Sequence, residues 1–296
     1  MSTKMFVLAF LVLACLARSF AASDIVYVTY NGSDANACSR TSPCKTITHA
    51  LTAVNAGGQV SIMGSGTYDN FTVTKAVTVN AEAGVVATLD VPANGNGVTI
   101  SAGATDRVVI RGLNINGKGS GLGITVNSAG EVSVENCVSR NFFHALSFVP
   151  SAAASLTVKG GIYEATDTSI FICCAAGGTA ANAVIDRVTV KDGGYAGINV
   201  DGTLVTVTNS SLSGPSSGAS TGVFAIHGKA VIENDVISNY TYGVDVTSTA
   251  YLSANTISGN SYGVIAGGSA FTRGDNTIEG NSSANVSGTM TPFSGQ

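Results

Sequence analysis

The sequence has no tryptophan, five prolines and three histidines, and only 11% of its residues carry charge. So little charge, with a formal net of −4, excludes a basic nucleic-acid-binding surface. Too few prolines are present for a Pro-rich linker. Beyond residue 22 no apolar run approaches the ~20 residues that a membrane-spanning helix needs. No histidine or cysteine spacing matches a zinc site, and no Asp-rich cluster would hold calcium, so no metal and no cofactor are expected.

Glycine is abundant, with 36 copies, and a short motif recurs from about residue 106 to residue 281. Its clearest copies are IENDVISNYTYGVDV (232–246) and LSANTISGNSYGVIA (252–266). The first apolar position recurs as Ile110, Val134, Val158, Ile185, Val207, Ile232 and Leu252, with Arg273 as a degenerate last copy; the steps run from 20 to 27 residues. Two positions earlier stand Val108, Val132, Leu156, Ala183, Val205, Ala230, Ala250 and Phe271. Alternation with period two means strand, and strand-built repeats of this length stack as the coils of a solenoid. A second apolar column follows: Ile124, Leu146, Ile170, Ile198, Val223, Val244 and Val264. Each is preceded by a small residue, such as Gly197, Gly222 or Gly243, which suggests a bend with unusual dihedrals. The fold class is all-β, a single parallel β-helix. A β-sandwich does not explain columns that keep register.

Residues 1–21 read as a secretory signal peptide: Lys4, the apolar run MFVLAFLVLACLA, then the small-residue segment SFA. Cleavage removes Lys4 and Arg18, leaving 12 basic against 18 acidic residues, a net of −6. The expected location is therefore outside the cytoplasm, extracellular or periplasmic. Residues 22–58 read as a strand, a loop and a capping helix. Ser42 and Pro43 stand as N-cap and first turn, Ile47, Ala50, Leu51 and Val54 form the apolar face, and Gly57 and Gly58 are the stop. Cys38 and Cys44, close together in a secreted loop, are expected to form a disulfide. Residues 59–281 form the β-helix, and 282–296 a tail that crosses the far end loosely. Cys137, Cys173 and Cys174 read as small interior residues.

The segment YVTYNGSDANACSRTSPCKTITHALTAVNAGGQVSI (27–62) resembles the N-terminal cap of bacterial secreted right-handed parallel β-helix repeat proteins, and RGDNTIEGNSSANVSGTMTP (273–292) is similar to their closing segment. The resemblance implies the pectate-lyase-like superfamily fold, with right-handed coils. That superfamily includes pectate lyases and polygalacturonases, but their motifs are mostly missing. The chain has no adjacent Asp pair and no Arg-Ile-Lys, and its nearest approach to Gly-His-Gly is Ile226-His227-Gly228.

One outward column could carry chemistry. Directly after each anchor come Arg111, Glu135, Lys159, Asp186, Thr208, Glu233 and Ser253. Arg107 and Glu131 add a second outward pair on two of the same coils. Arg111, Glu135, Lys159 and Asp186 are the candidate catalytic set, a carboxylate pair with basic helpers suited to a glycoside. The competing reading is an ion-pair ladder that locks strand register. Arg107, Glu131, Tyr242 and Tyr262 are the candidate substrate-binding residues, the tyrosines as stacking platforms. Asn136, Asn209 and Asn234 recur two positions after the anchor, and Asn141, Asn239, Asn260 and Asn281 in later turns; both sets read as architectural. The leading expectation is a monomeric, secreted protein that presents an elongated surface to an extracellular polysaccharide or cell-envelope glycan without catalysing a reaction. A polysaccharide lyase or glycoside hydrolase is the alternative. A weaker one is ice or mineral binding by a column containing Thr157, Thr206 and Thr272.

Overall fold

The computed structural model describes residues 23–173, 182–201, 203–215 and 218–294; the expected signal segment and Cys174 lie outside the described residues. Alternating apolar and polar residues make each coil a succession of short strands. In the coil that opens with Arg107–Arg111, the chain continues through Leu113–Asn116 and Leu122–Ser128. It then returns as Glu131–Glu135, parallel to Arg107–Arg111, with Val132 against Val108 and Val134 against Ile110. Repetition gives a single all-β parallel solenoid of about nine turns of about 24 residues. Three parallel sheets run along it, here called first, second and third in chain order within a coil.

Register follows the apolar columns. Ile110, Val134, Val158, Ile185, Val207, Ile232 and Leu252 stack rung upon rung in the first sheet. Ile124, Leu146, Ile170, Ile198, Val223, Val244 and Val264 do so in the third. All of them are fully buried. Each such side chain contributes roughly 1.5–3 kcal/mol on leaving water, so a one-residue slip that turned a strand's apolar set outward would be costly.

Four expectations need correction. Arg273 is not the last anchor: Leu252 pairs with Thr272 and Ala250 with Ala270, so Phe271 faces outward and stacks on Tyr251 at 4.9 Å. Thr272 therefore does not share a column with Thr157 and Thr206, which weakens the ice-binding pattern further. The small-residue column is not there for unusual dihedrals, because Gly197, Gly222 and Gly243 are not among the residues with positive φ. A Cβ on Gly222 would lie 2.4 Å from the Gly243 carbonyl oxygen, so close approach of successive backbones requires glycine. The helix spans Ile47–Ala53 with Thr46, not Ser42, as N-cap: its side chain accepts from the His49 N–H at 3.1 Å. Asp34 fixes that cap by accepting from the Lys45 and Thr46 N–H groups, both at 2.9 Å. The helix ends at the cap Val54, before Gly57 and Gly58 are reached. The fourth is the final segment: Ala284–Pro292 is a strand paired with Tyr262–Thr272, where a loose tail is expected from sequence.

The helix buries Ile47, Ala50 and Leu51 against one end of the core, and Cys38 is bonded to Cys44 in the loop before it. Cys137 lies wholly in the interior. No helix of the described residues is long and apolar enough to cross a membrane.

Candidate functional site

The first sheet ends each strand with an outward residue, and the next residue turns the chain with positive φ. Gly112, Asn136, Gly160, Arg187, Asn209, Asn234 and Ala254 occupy that turn, with φ between 50° and 73°. This left-handed column is why Asn and Gly recur there. It sets the charged column at the rim of the turn, with Glu135 opposite Arg111, Lys159 opposite Glu135, and Asp186 opposite Lys159.

The charges are mostly paired. Arg111 donates to Glu135 at 2.8 Å and Arg107 to Glu131 at 3.0 Å. Asp186 pairs not with Lys159 but with Arg187, at 2.9 Å. Lys159 forms no ion pair among the described residues. Glu135, Asn136, Lys159, Gly160, Gly161 and Arg187 line a shallow groove of about 620 Å³. The hydrogen bond from Arg111 holds the Glu135 carboxyl below its ordinary range against the opposing effect of burial, with help from Ser133 and the charge of Lys159. An ionised, paired carboxylate is a poor general acid. Arg187 is the member of this group that sequence reading did not single out; its signal was its place in the left-handed column.

Tyr242 and Tyr262 lie opposite each other on the outer face of the third sheet, their rings 5.6 Å apart. They are far along the chain from Arg107 and Glu131, so the candidate substrate-binding residues do not form one patch. The tyrosines directly follow Thr241 and Ser261, which line a second groove of about 620 Å³ with Ser213, Asn239, Asn260 and Ser282. Its walls are hydroxyls and amides without a charge. His227 contacts Asp201 at 2.7 Å, and Cys173 donates to the other Asp201 oxygen at 3.4 Å. His144 is packed between Phe143 and Phe171, with ring centroids 4.7 and 4.6 Å away, and burial lowers its pKa despite Asp167 beside it.

Most of the chain is similar to two solved structures. Pectate lyase Pel9A superposes with a TM-score of 0.62 at 16% identity, over 92% of this chain and 80% of that one. The structure of XylC in complex with xylose superposes with a TM-score of 0.60 at 9% identity, over 91% of this chain and 70% of that one. The fold is the pectate-lyase-like parallel β-helix. At these identities the likeness is one of fold. No family model matches the chain, and no curated protein sequence matches it. In this β-helix the charged groove and the hydroxyl-lined groove sit at different turns and on different coils, and of the candidate catalytic set only Glu135 and Lys159 line the first, while Arg111 lines a neighbouring groove with Glu82 and Asn136.

Proposed function

We propose that the chain is a secreted, non-catalytic β-helix that holds an extracellular polysaccharide along its flank. The observation that carries this reading is the state of its carboxylates. Glycoside hydrolysis needs one protonated and one ionised carboxyl, about 5–10 Å apart. Glu135 and Asp186 are both ion-paired to arginines, and the hydrogen bond from Arg111 holds the Glu135 carboxyl below its ordinary range. Burial raises the Asp245 carboxyl, but Asp167, on the same sheet, lies three rungs away through the pairings from Thr168 to Tyr242, and Asp201, at the strand ends between them, is engaged by His227 and Cys173. Three rungs are roughly 14 Å, too far to flank one glycosidic bond. Asp235, pushed up to about 7 by burial beside Glu233 and Asp186, is 1% exposed and closed to a substrate. What remains is a long surface with polar grooves and outward tyrosines, suited to contacts repeated along a polymer.

The test is retention of the mature chain on immobilised neutral and uronic-acid polysaccharides. Product release is followed in parallel by unsaturated-product absorbance and reducing ends, with and without calcium. Retention without product is expected. Product formation would overturn the non-catalytic reading, and loss of product in Glu135→Gln would then place the chemistry at the charged groove.

A further inference from the structure

The outer face of the third sheet carries an aromatic side chain on each of six successive rungs. The rungs are linked by the pairings of His144 with Thr168, Thr168 with Ala196, Ala196 with Thr221, Thr221 with Tyr242 and Tyr242 with Tyr262. They present in turn Phe143, Phe171, Tyr195, Phe224, Tyr242 and Tyr262. His144 fills the step between the first two, stacked at 19° on Phe171. Tyr195 meets Phe224 edge-on at 5.8 Å, and Tyr242 lies 5.6 Å from Tyr262. Phe143 and Tyr195 are 47% and 46% exposed, and the other four are half-buried. Phe171 and Phe224, held at the surface in this line, gain little for the fold, since their inward neighbours Ile170, Ile172, Val223 and Ala225 already fill the core.

We infer that this aromatic ribbon is the binding face for a neutral polysaccharide, whose chain runs along the solenoid axis and sets the apolar faces of successive sugar rings on the aromatic rings. The inference rests on the polysaccharide-binding reading above and adds the face and the ligand class. Five steps of ~4.8 Å make the ribbon about 24 Å long, enough for several sugar units. Charge decides the class. The titratable groups on this face are Asp167, Asp245, His144 and the tyrosines, with the Asp201–His227 pair at the strand ends. Asp167 and Asp245 act on Tyr195, and Asp245 lies opposite Phe224. Carboxylates accept hydrogen bonds from sugar hydroxyls but repel uronates. The uncharged groove beside Thr241 and Ser261 adds further hydroxyl partners at the Tyr242–Tyr262 end.

The experiment is affinity electrophoresis through gels containing β-glucan, xylan or mannan, set against polygalacturonate and alginate. Wild type is compared with the double variant Tyr195→Ala/Tyr242→Ala and with Lys159→Ala. Circular dichroism checks the fold of each. Tyrosine emission, free of interference because the chain has no tryptophan, reports ring contact independently. Retardation by a neutral polymer is expected, weakened about tenfold or more in the double variant. Retardation only by acidic polymers, dependent on Lys159, overturns the ribbon but leaves polysaccharide binding standing. Neutral binding that survives in the folded double variant, with unchanged tyrosine emission in wild type, also overturns the ribbon. Retardation by no polymer overturns both.

Discussion

Two ladders run along this solenoid, and their differences show what a repeated side chain is worth. The first is the charged column on the coils from Arg107 to Arg187, where partners lie in solvent: the Arg107 and Glu131 side chains are 64% and 52% exposed. The second is a pair of amide columns in two turns of the coils from Asp235 to Asn285, where Asn255 and Asn260 are 1% and 2% exposed. Asn255 accepts from the Asp235 N–H at 3.0 Å and donates to the Ile232 carbonyl at 2.8 Å and to Asn276 Oδ1 at 2.9 Å. Asn260 repeats the pattern with the Tyr240 N–H, the Ile237 carbonyl and Asn281. Each amide ties three rungs together where no water competes. The exposed ladder forms the same kind of rung-to-rung contact against water and salt, which leaves little net gain.

The largest effect should come from Asn255→Ala. It strands the Asp235 N–H and the Ile232 carbonyl inside the turn and removes the link to Asn276. Unsatisfied buried groups cost about 1–3 kcal/mol each, so a loss of roughly 2–4 kcal/mol in urea unfolding is expected. A loss below ~0.5 kcal/mol would mean that the buried ladder is no stronger than the surface one.

A change of opposite sign should follow at Asp235, which occupies an asparagine place in the ladder. Its Oδ1 accepts from the Ser210 N–H at 2.6 Å, while its buried Oδ2 has no partner among the described residues. Burial, reinforced by the charges of Glu233 and Asp186, pushes this carboxyl up to about 7, although hydrogen bonds from Ser210 and Glu233 pull the other way. The folded pKa thus lies above the unfolded one. Stability is fully present below pH ~4, is lost as pH rises toward 7, and stays low above that. Asp235→Asn keeps the acceptor for Ser210. It also sets an amide N–H toward Val207, the rung partner of the Ile232 that Asn255 serves. The variant should gain on the order of 2–4 kcal/mol at pH 8 and almost nothing at pH 4. Parallel stability–pH curves for variant and wild type would show that Asp235 does not titrate in this window.

The two ladders were not equally legible in the sequence. The charged column could be read because it lies directly beside the apolar anchors, whose one-sided burial fixes register. The left-handed turn could be read from Asn136, Asn209 and Asn234, and Asn234 does donate to Asn209 at 2.8 Å. Of the buried amides, Asn260 and Asn281 could be read as a recurring turn set, and Asn260 does donate to Asn281 at 3.0 Å; Asn255 and Asn276 could not, because an inward polar side chain there looks like ordinary turn composition until its backbone partners are known. Phe271 misled because an aromatic residue two before a supposed anchor fits the apolar pattern, although Ala270 is the residue that turns inward. The ribbon escaped notice because its rings do not share one position in the repeat. Phe171 and Phe224 share a column of the third sheet, whereas Tyr195, Tyr242 and Tyr262 stand earlier in their coils. The candidate site was legible as a set of neighbours but not as pairs, since Arg187 takes Asp186 away from Lys159.

The smallest effects belong to the charged ladder, and their grading inside it is informative. Glu135 is 24% exposed and accepts from both Arg111 and Ser133, whereas Glu131 is 52% exposed and pairs with Arg107 alone. Glu135→Gln should cost about 0.2–1 kcal/mol at neutral pH and low salt, and Glu131→Gln still less. Because the folded Glu135 carboxyl sits below its ordinary range, its contribution is present above the unfolded pKa and disappears as pH falls through the folded one. The gap between wild type and Glu135→Gln should therefore close in acid, and also at ~1 M salt, where screening acts over about 3 Å. A cost well above 2 kcal/mol that survives high salt would place Glu135 in a desolvated groove rather than on a wetted rim. Such a groove is where an acid–base pair could operate, so this modest stability measurement also tests the choice between a register lock and a catalytic site.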